Sequence, residues 1–213
     1  MKKYRKIMCV ILMLSVLFGM AGRQDYVKAA ANVTVEITEG TLGHAINRTM
    51  YAGEERTGWT IELNQERKVQ SATWTSSDMG VMTVDGNKDG ATVKTHKEGT
   101  AVLSLTVVTN KGETVSDQCL ISSVTILDSS SQVEGYVKDS VSFYRGARTS
   151  SKVRNTASAG QKLTVIALCS DFYRVRLPES YDFNDTLNQD TAYVLKSKVE
   201  IPAASVIFWL HHW

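Results

Sequence analysis

"GTAVLSLTVVTNKGE", residues 99–113, decides the fold. Ala101, Leu103, Leu105 and Val107 fall on one side of an extended chain, while Ser104 and Thr106 fall on the other. A period of two is the mark of a strand with one buried face. Asn110-Lys111-Gly112 then offers residues that tolerate the left-handed backbone of a tight turn. Working outward, segments rich in Val, Thr, Ile and aromatics recur after Ala31 between Gly, Asn and Asp clusters, and no helical period interrupts them. That pattern predicts an all-β chain of sandwiches or barrels. With only two prolines in 213 residues, the turns fall to Gly, Asn and Asp.

Just upstream, "VDGNKDGATV", residues 84–93, holds Asp85-x-Asn87-x-Asp89-Gly90, the opening half of a calcium-loop pattern. A helix-flanked calcium loop needs a bidentate acid at its twelfth position, and counted from Asp85 that position is His96. Imidazole is a poor calcium ligand, and the flanks "GVMTV" and "ATVKT" read as strands. The stretch is therefore expected to be a hairpin turn, with no metal site. Trp59 in "GWTIELN" and Trp74 in "VQSATWTSSD" are expected in the core, where a large ring contributes most.

The first residues, "MKKYRKIMCVILMLSVLFGMAG", set four basic side chains before an apolar run from Ile7 to Ala21. That order predicts a secretory signal peptide over 1–29, with cleavage after Ala29 or Ala31. The run is shorter than the roughly 20 residues a bilayer span needs, so no stable membrane anchor is expected after its removal. Residues 1–29 hold six of the 24 basic and one of the 22 acidic side chains, so the remainder carries a formal charge near −3. The basic pI belongs to the discarded segment, and no basic block survives to suggest nucleic acid.

Cys119 and Cys169 remain, one in each of two β series, and are expected as buried thiols. No Cys-x-x-Cys pair is present, and His44 and His96 lack partners at zinc spacing. The two series suggest domains of roughly 100 and 75 residues. "LDSSSQVEGYV" changes character between them, so 128–132 reads as a short linker.

Residues 72–107, "ATWTSSDMGVMTVDGNKDGATVKTHKEGTAVLSLTV", resemble the bacterial Ig-like domain, group 2. The resemblance rests on Trp74, Ser76, Ser77, Asp78, Val84, Asp85, Gly99, Thr100 and Ala101, and extends over 33–127. It implies an Ig-like β-sandwich used as a spacer or adhesion module on bacterial surface proteins. Residues 133–201 resemble the bacterial SH3-like domain, a small β-barrel of cell-wall proteins. Its motifs fall at Val141–Thr149, Ala159–Val165, Phe172–Val175 and Ala192–Val194. The family's usual arginine, proline and tryptophan stand here as Tyr144, Ala147 and Phe172, so the resemblance carries the fold over more securely than a ligand. Gly160, Leu163, Val165 and Val175 fit its barrel core.

Tyr144, Arg145, Phe172, Tyr173, Tyr181, Phe183 and Tyr193 are the candidate ligand-binding residues, because aromatic faces and an arginine make contacts of this type worth most. Tyr181 and Phe183 belong to "RLPESYDFNDTLNQDTA", longer than a simple barrel turn and rich in aspartate. No catalytic residue is assigned. Cys169 is the one thiol of the second series, and no histidine accompanies it before His211 and His212 in the apolar tail, 202–213.

The expectation is a secreted or cell-wall-associated, non-enzymatic Gram-positive surface protein that takes no cofactor. Its partner is peptidoglycan or a wall-linked protein. Two other readings stand beside it: a truncated cell-wall hydrolase lacking its catalytic domain, and an adhesin binding a host protein.

Overall fold

In the computed structural model, residues 33–177 and 191–202 are described, and they are all-β. The first series comprises β1 (Val35–Glu39), β2 (Asn47–Tyr51), β3 (Glu55–Leu63), β4 (Val69–Ser76), β5 (Met82–Asn87), β6 (Gly90–Thr95), β7 (Gly99–Thr109) and β8 (Thr114–Ile126). One antiparallel sheet has the order β1-β3-β6-β5. A second runs β2-β8-β7-β4, with β2 parallel to β8. The two face each other across one core, which is sandwich-like. Ile37, Trp59, Met82 and Val93 come from the first sheet, and Met50, Trp74, Leu103, Leu105, Val107 and Ile121 from the second.

The strand read from the sequence is β7, where Gly99, Ala101, Leu103, Leu105, Val107 and Thr109 are all buried. Its partner β8 pairs with it from Gly99↔Ser123 to Val108↔Thr114. Burial of Leu103, Leu105 and Val107 stabilises by about 1.5–3 kcal/mol each, enough to fix the register, since a one-residue slip would turn the whole set to water. Both tryptophans are core residues, as the sequence suggests. The Trp74 Nε1–H donates to the Asn87 carbonyl at 3.0 Å.

The calcium-like stretch is a hairpin: β5 and β6 pair from Met82↔Thr95 to Asn87↔Gly90. Lys88 and Asp89 form its turn. The Asn87 side chain accepts the Asp89 amide at 2.7 Å, which explains the asparagine without a metal. Among the described residues, no group of three or more His, Cys, Asp or Glu is placed to hold a metal ion.

The second series comprises β9 (Val133–Val137), β10 (Val141–Tyr144), β11 (Val153–Ala157), β12 (Lys162–Cys169), β13 (Phe172–Arg176), β14 (Thr191–Leu195) and β15 (Val199–Glu200), with a 3₁₀ turn at Lys196–Lys198. Its strands pair in the order β15-β9-β12-β13-β14-β10-β11. Leu163, Val165 and Val175 are buried here with Val137, Phe143, Val194 and Val199. Gly160, expected among them, is exposed instead. It has φ +82° and turns the chain into β12, where a left-handed backbone is needed rather than a small side chain.

Residues 128–132 form a hydrogen-bonded turn. Asp128 Oδ1 accepts the Ser130 amide at 3.1 Å and the Ser131 amide at 2.9 Å. On either side of it, β8 and β9 lie end to end along one edge of β12. Lys162–Val165 pair with Tyr136–Val133, and Ala167 and Leu168 pair with Ile126 and Thr125. Between them, a bulge at Ile166 lets its carbonyl accept the Leu127 amide at 3.0 Å. The two series therefore share a ladder. They also share a buried cluster of Val124, Ala147, Ala167, Cys169, Phe172 and Tyr193.

Candidate functional site

Where β2 passes the edge of the second series, a cleft of about 410 Å³ opens. The pleat explains its far wall. Arg174 on β13 stands opposite Tyr193 on β14, so both side chains emerge on one face, and Thr191, two residues before Tyr193, emerges beside them. β14 in turn pairs with β10 through Tyr144↔Tyr193, which brings Arg145 alongside, and β11 adds Arg154. The near wall is built from Asn47, Arg48, Thr49 and Tyr51 of β2, Glu39 of β1 and Arg56 of β3. Leu42, His44 and Ile46 form the rim, where Leu42 and Ile46 are exposed.

The near wall is internally compensated. Glu39, only 8% exposed, accepts Arg48 Nε–H at 2.9 Å and an Arg56 NH1 donor at 3.0 Å. Arg56 also donates to Glu54 at 2.6 Å. Burial pushes the Glu54 carboxyl up, but the Arg56 hydrogen bond, the Tyr51 amide and the Arg56 charge outweigh it, and its pKa is lowered. The same carboxylates outweigh burial at Arg56 and raise its pKa.

The far wall is held differently. Arg154 donates to the Thr191 carbonyl at 2.7 Å, and Arg174 donates to the Thr191 hydroxyl at 3.2 Å. Both of these bonds run to neutral oxygens of Thr191. Among the described residues lining the cleft, Glu39 is the only carboxylate, against five arginines. At the floor, the hydroxyls of Thr49 and Tyr193 lie 2.7 Å apart. Burial pushes the Tyr193 hydroxyl up to about 12 despite the nearby Arg174 charge, so it stays a neutral hydrogen-bonding group.

Of the seven residues proposed from sequence, Arg145 and Tyr193 line this cleft. Tyr193 does so only through its hydroxyl end, being 2% exposed. Phe172 is 7% exposed and belongs to the buried cluster between the series. Tyr144 meets Phe172 edge-on at 6.2 Å and packs against the same cluster. The rings of Phe172 and Tyr193 fill the seam between the two series. Tyr173, on the opposite face of β13 from Arg174, packs partly against the second core with the Lys196 ammonium 5.5 Å from its ring centre. Tyr181 and Phe183 lie outside the described residues.

Sequence reading missed Arg48, Arg56, Arg154 and Arg174. Each is isolated in the chain, and only strand pairing collects them. The one local signal is Arg174 and Arg176 at alternate positions of "FYRVR", which sends each to the same face of β13.

The thiols do not contribute a reactive site. Cys119 and Cys169 are both free and buried, and burial pushes each up to about 12. Cys169 Sγ lies 3.2 Å from the Gly99 carbonyl, inside the seam.

No protein-family model matches the chain, and none of the curated proteins matches it.

Proposed function

We propose that the chain is an exported, non-catalytic bacterial surface protein. In this reading an Ig-like β-sandwich over 33–127 serves as spacer or adhesion module, and an SH3-like barrel over 133–201 provides the contact with peptidoglycan or a wall-linked protein. The observation that carries it is the arginine cleft between the two series. Wall peptides present carboxylates together with small apolar side chains, and the cleft sets guanidinium groups beside the exposed Leu42, Ile46 and Tyr51. A volume of about 410 Å³ suits a short segment of such a polymer.

Three further features support it. The facing sheets of the first series, with Trp74 buried between them, fit the Ig-like resemblance. The run of short paired strands from β15 to β11 fits the SH3-like one. Cys169, the thiol that a peptidase reading would need, is sealed in the seam and remains protonated at neutral pH.

The test is co-sedimentation of the chain from Ala30 onward with protein-free peptidoglycan, at low salt and at about 0.15 M. Pelleting that survives the higher salt and falls several-fold in Arg145→Gln is the expected result. Failure of the unaltered chain to pellet at either salt sinks the wall reading and favours a host-protein adhesin or a truncated hydrolase.

A further inference from the structure

We propose that the outer edge of β2, where it borders the cleft, is a strand-addition site for an extended peptide that carries an acidic side chain. Among the described strands β2 pairs only with β8, so it is the edge strand of its sheet. In a parallel ladder, alternate residues of a strand bond to the neighbour. The Ile46 carbonyl accepts the Leu120 amide, and the Ala52 amide donates to the Val124 carbonyl, so the even-numbered residues from 46 to 52 face β8. Asn47, Thr49 and Tyr51 therefore turn their backbone N–H and C=O groups to the opposite edge.

The chain blunts that edge at both ends. Arg48 donates to the Asn47 carbonyl at 3.1 Å. The Tyr51 amide donates to Glu54 Oε2 at 2.7 Å, and the Tyr51 carbonyl accepts the Thr95 hydroxyl and the Glu54 amide. Thr49 stands between them and lines the cleft. Among the described residues, nothing on this side meets its backbone N–H or C=O. Open groups on an edge strand are a template for another strand. Here the gap is one residue long, which admits a short peptide and discourages open-ended sheet growth.

The gap also dictates the side chains of the peptide. A residue set opposite Thr49 in an antiparallel pair exchanges both backbone bonds with it, and its side chain emerges on the same face as that of Thr49. That face is turned to the second series, since Thr49 Oγ1 lies 2.7 Å from the Tyr193 hydroxyl, and Tyr193 stands opposite Arg174. The bond from Arg174 to the Thr191 hydroxyl runs to a neutral oxygen, so a carboxylate opposite Thr49 meets a cation there. Flanking side chains turn to the other face of the pleat. By the same alternation Ile46 lies on that face, exposed at the rim with Leu42, which favours apolar residues on either side of the acid.

That the peptide belongs to the wall or to a wall-linked protein rests on the function proposed above, whereas strand addition at Thr49 does not, so the two experiments fail separately. The probe is acetyl-Val-Glu-Val-amide, titrated calorimetrically into the chain from Ala30 onward at low salt. Saturable binding is expected, and with it slower hydrogen exchange of the Thr49 amide, while that of Lys88 in the exposed β5–β6 turn stays unchanged. N-methylation of the glutamate amide removes the bond to the Thr49 carbonyl and should weaken binding about two- to tenfold. Arg174→Gln should weaken it about tenfold, as should a Val-Gln-Val probe on the unaltered chain. Arg67→Gln serves as control, because Arg67 is paired with Glu113 away from the cleft. Far-UV circular dichroism confirms that each variant is folded, and if Arg174→Gln is not, the Val-Gln-Val probe decides. Absence of saturable binding, or binding indifferent to the N-methyl group, overturns the proposal. So does protection of Thr49 that appears without peptide as the chain self-associates, which assigns the edge to a second copy.

Discussion

The Tyr193 hydroxyl and Thr49 Oγ1, 144 positions apart in the chain, lie 2.7 Å from each other at the floor of the cleft. The bond ties β14 of the second series to β2 of the first. Removing only the hydroxyl, in Tyr193→Phe, should cost about 0.5–1.5 kcal/mol, the net value of such a bond. Tyr193→Ala should cost about 3–5 kcal/mol, as for other buried rings. Because the series share a ladder and a core cluster, scanning calorimetry should show one transition that moves as a whole. Two separate transitions in the unaltered chain would contradict this.

The β5–β6 hairpin depends on Gly86 having no side chain. A Cβ there would stand 2.5 Å from Trp74 Cδ1 and 2.7 Å from the Ala91 Cβ. Gly86→Ala should destabilise by about 1–3 kcal/mol through overpacking, read as a lower urea midpoint. Lys88→Ala, in the exposed turn, should leave the midpoint almost unchanged.

Acid should unfold the chain through identifiable carboxylates. The pKa of Glu54 is lowered as described above. Hydrogen bonds from Arg67 and Thr109 lower that of Glu113, and bonds from Ser130 and Ser131 lower that of Asp128. A carboxylate whose pKa falls on folding contributes stability above its ordinary value, here 4.5 for Glu54 and Glu113 and 3.8 for Asp128. That contribution is lost as pH falls through the folded value. Urea midpoints should therefore be level from pH 7 down to about 5 and drop steeply below 4. Asp128→Asn should flatten part of that drop, and an unchanged acid limb would show that its turn does not matter.

Both thiols should be silent in the native state. With Cys119 and Cys169 buried and pushed up to about 12, a thiol reagent at pH 8 should react only at the rate of unfolding. In urea both should react at once. Fast reaction of either thiol in the folded chain would contradict its placement.

Much of the fold was legible because local chemistry dictated it. Alternation in β7 could satisfy only a strand, and Asn87 with Gly90 could serve only a turn. The shared edge of β12 was not legible. Its ladder to β8 consists of two residue pairs around a bulge, and Asp128-Ser-Ser-Ser has the composition of a solvated linker although it folds as a turn. The site was harder still. Aromatic residues stood out as candidates because they are rare and large, yet Phe172 and Tyr193 were spent on sealing the seam. The arginines that line the cleft are scattered from 48 to 174 and carry no motif, so nothing short of the pairing order could place them together.

The excursion at 128–132 has a mechanical consequence. A swivel between the two series would have to part Ala167 from Ile126 and Leu168 from Thr125, break the Leu127–Ile166 bond, and open the cluster around Val124 and Tyr193. Tension applied across the molecule therefore loads many bonds together rather than straightening a slack joint. The cleft is thereby held at a set distance and angle from the β1-β3-β6-β5 sheet, as by a stiff bracket.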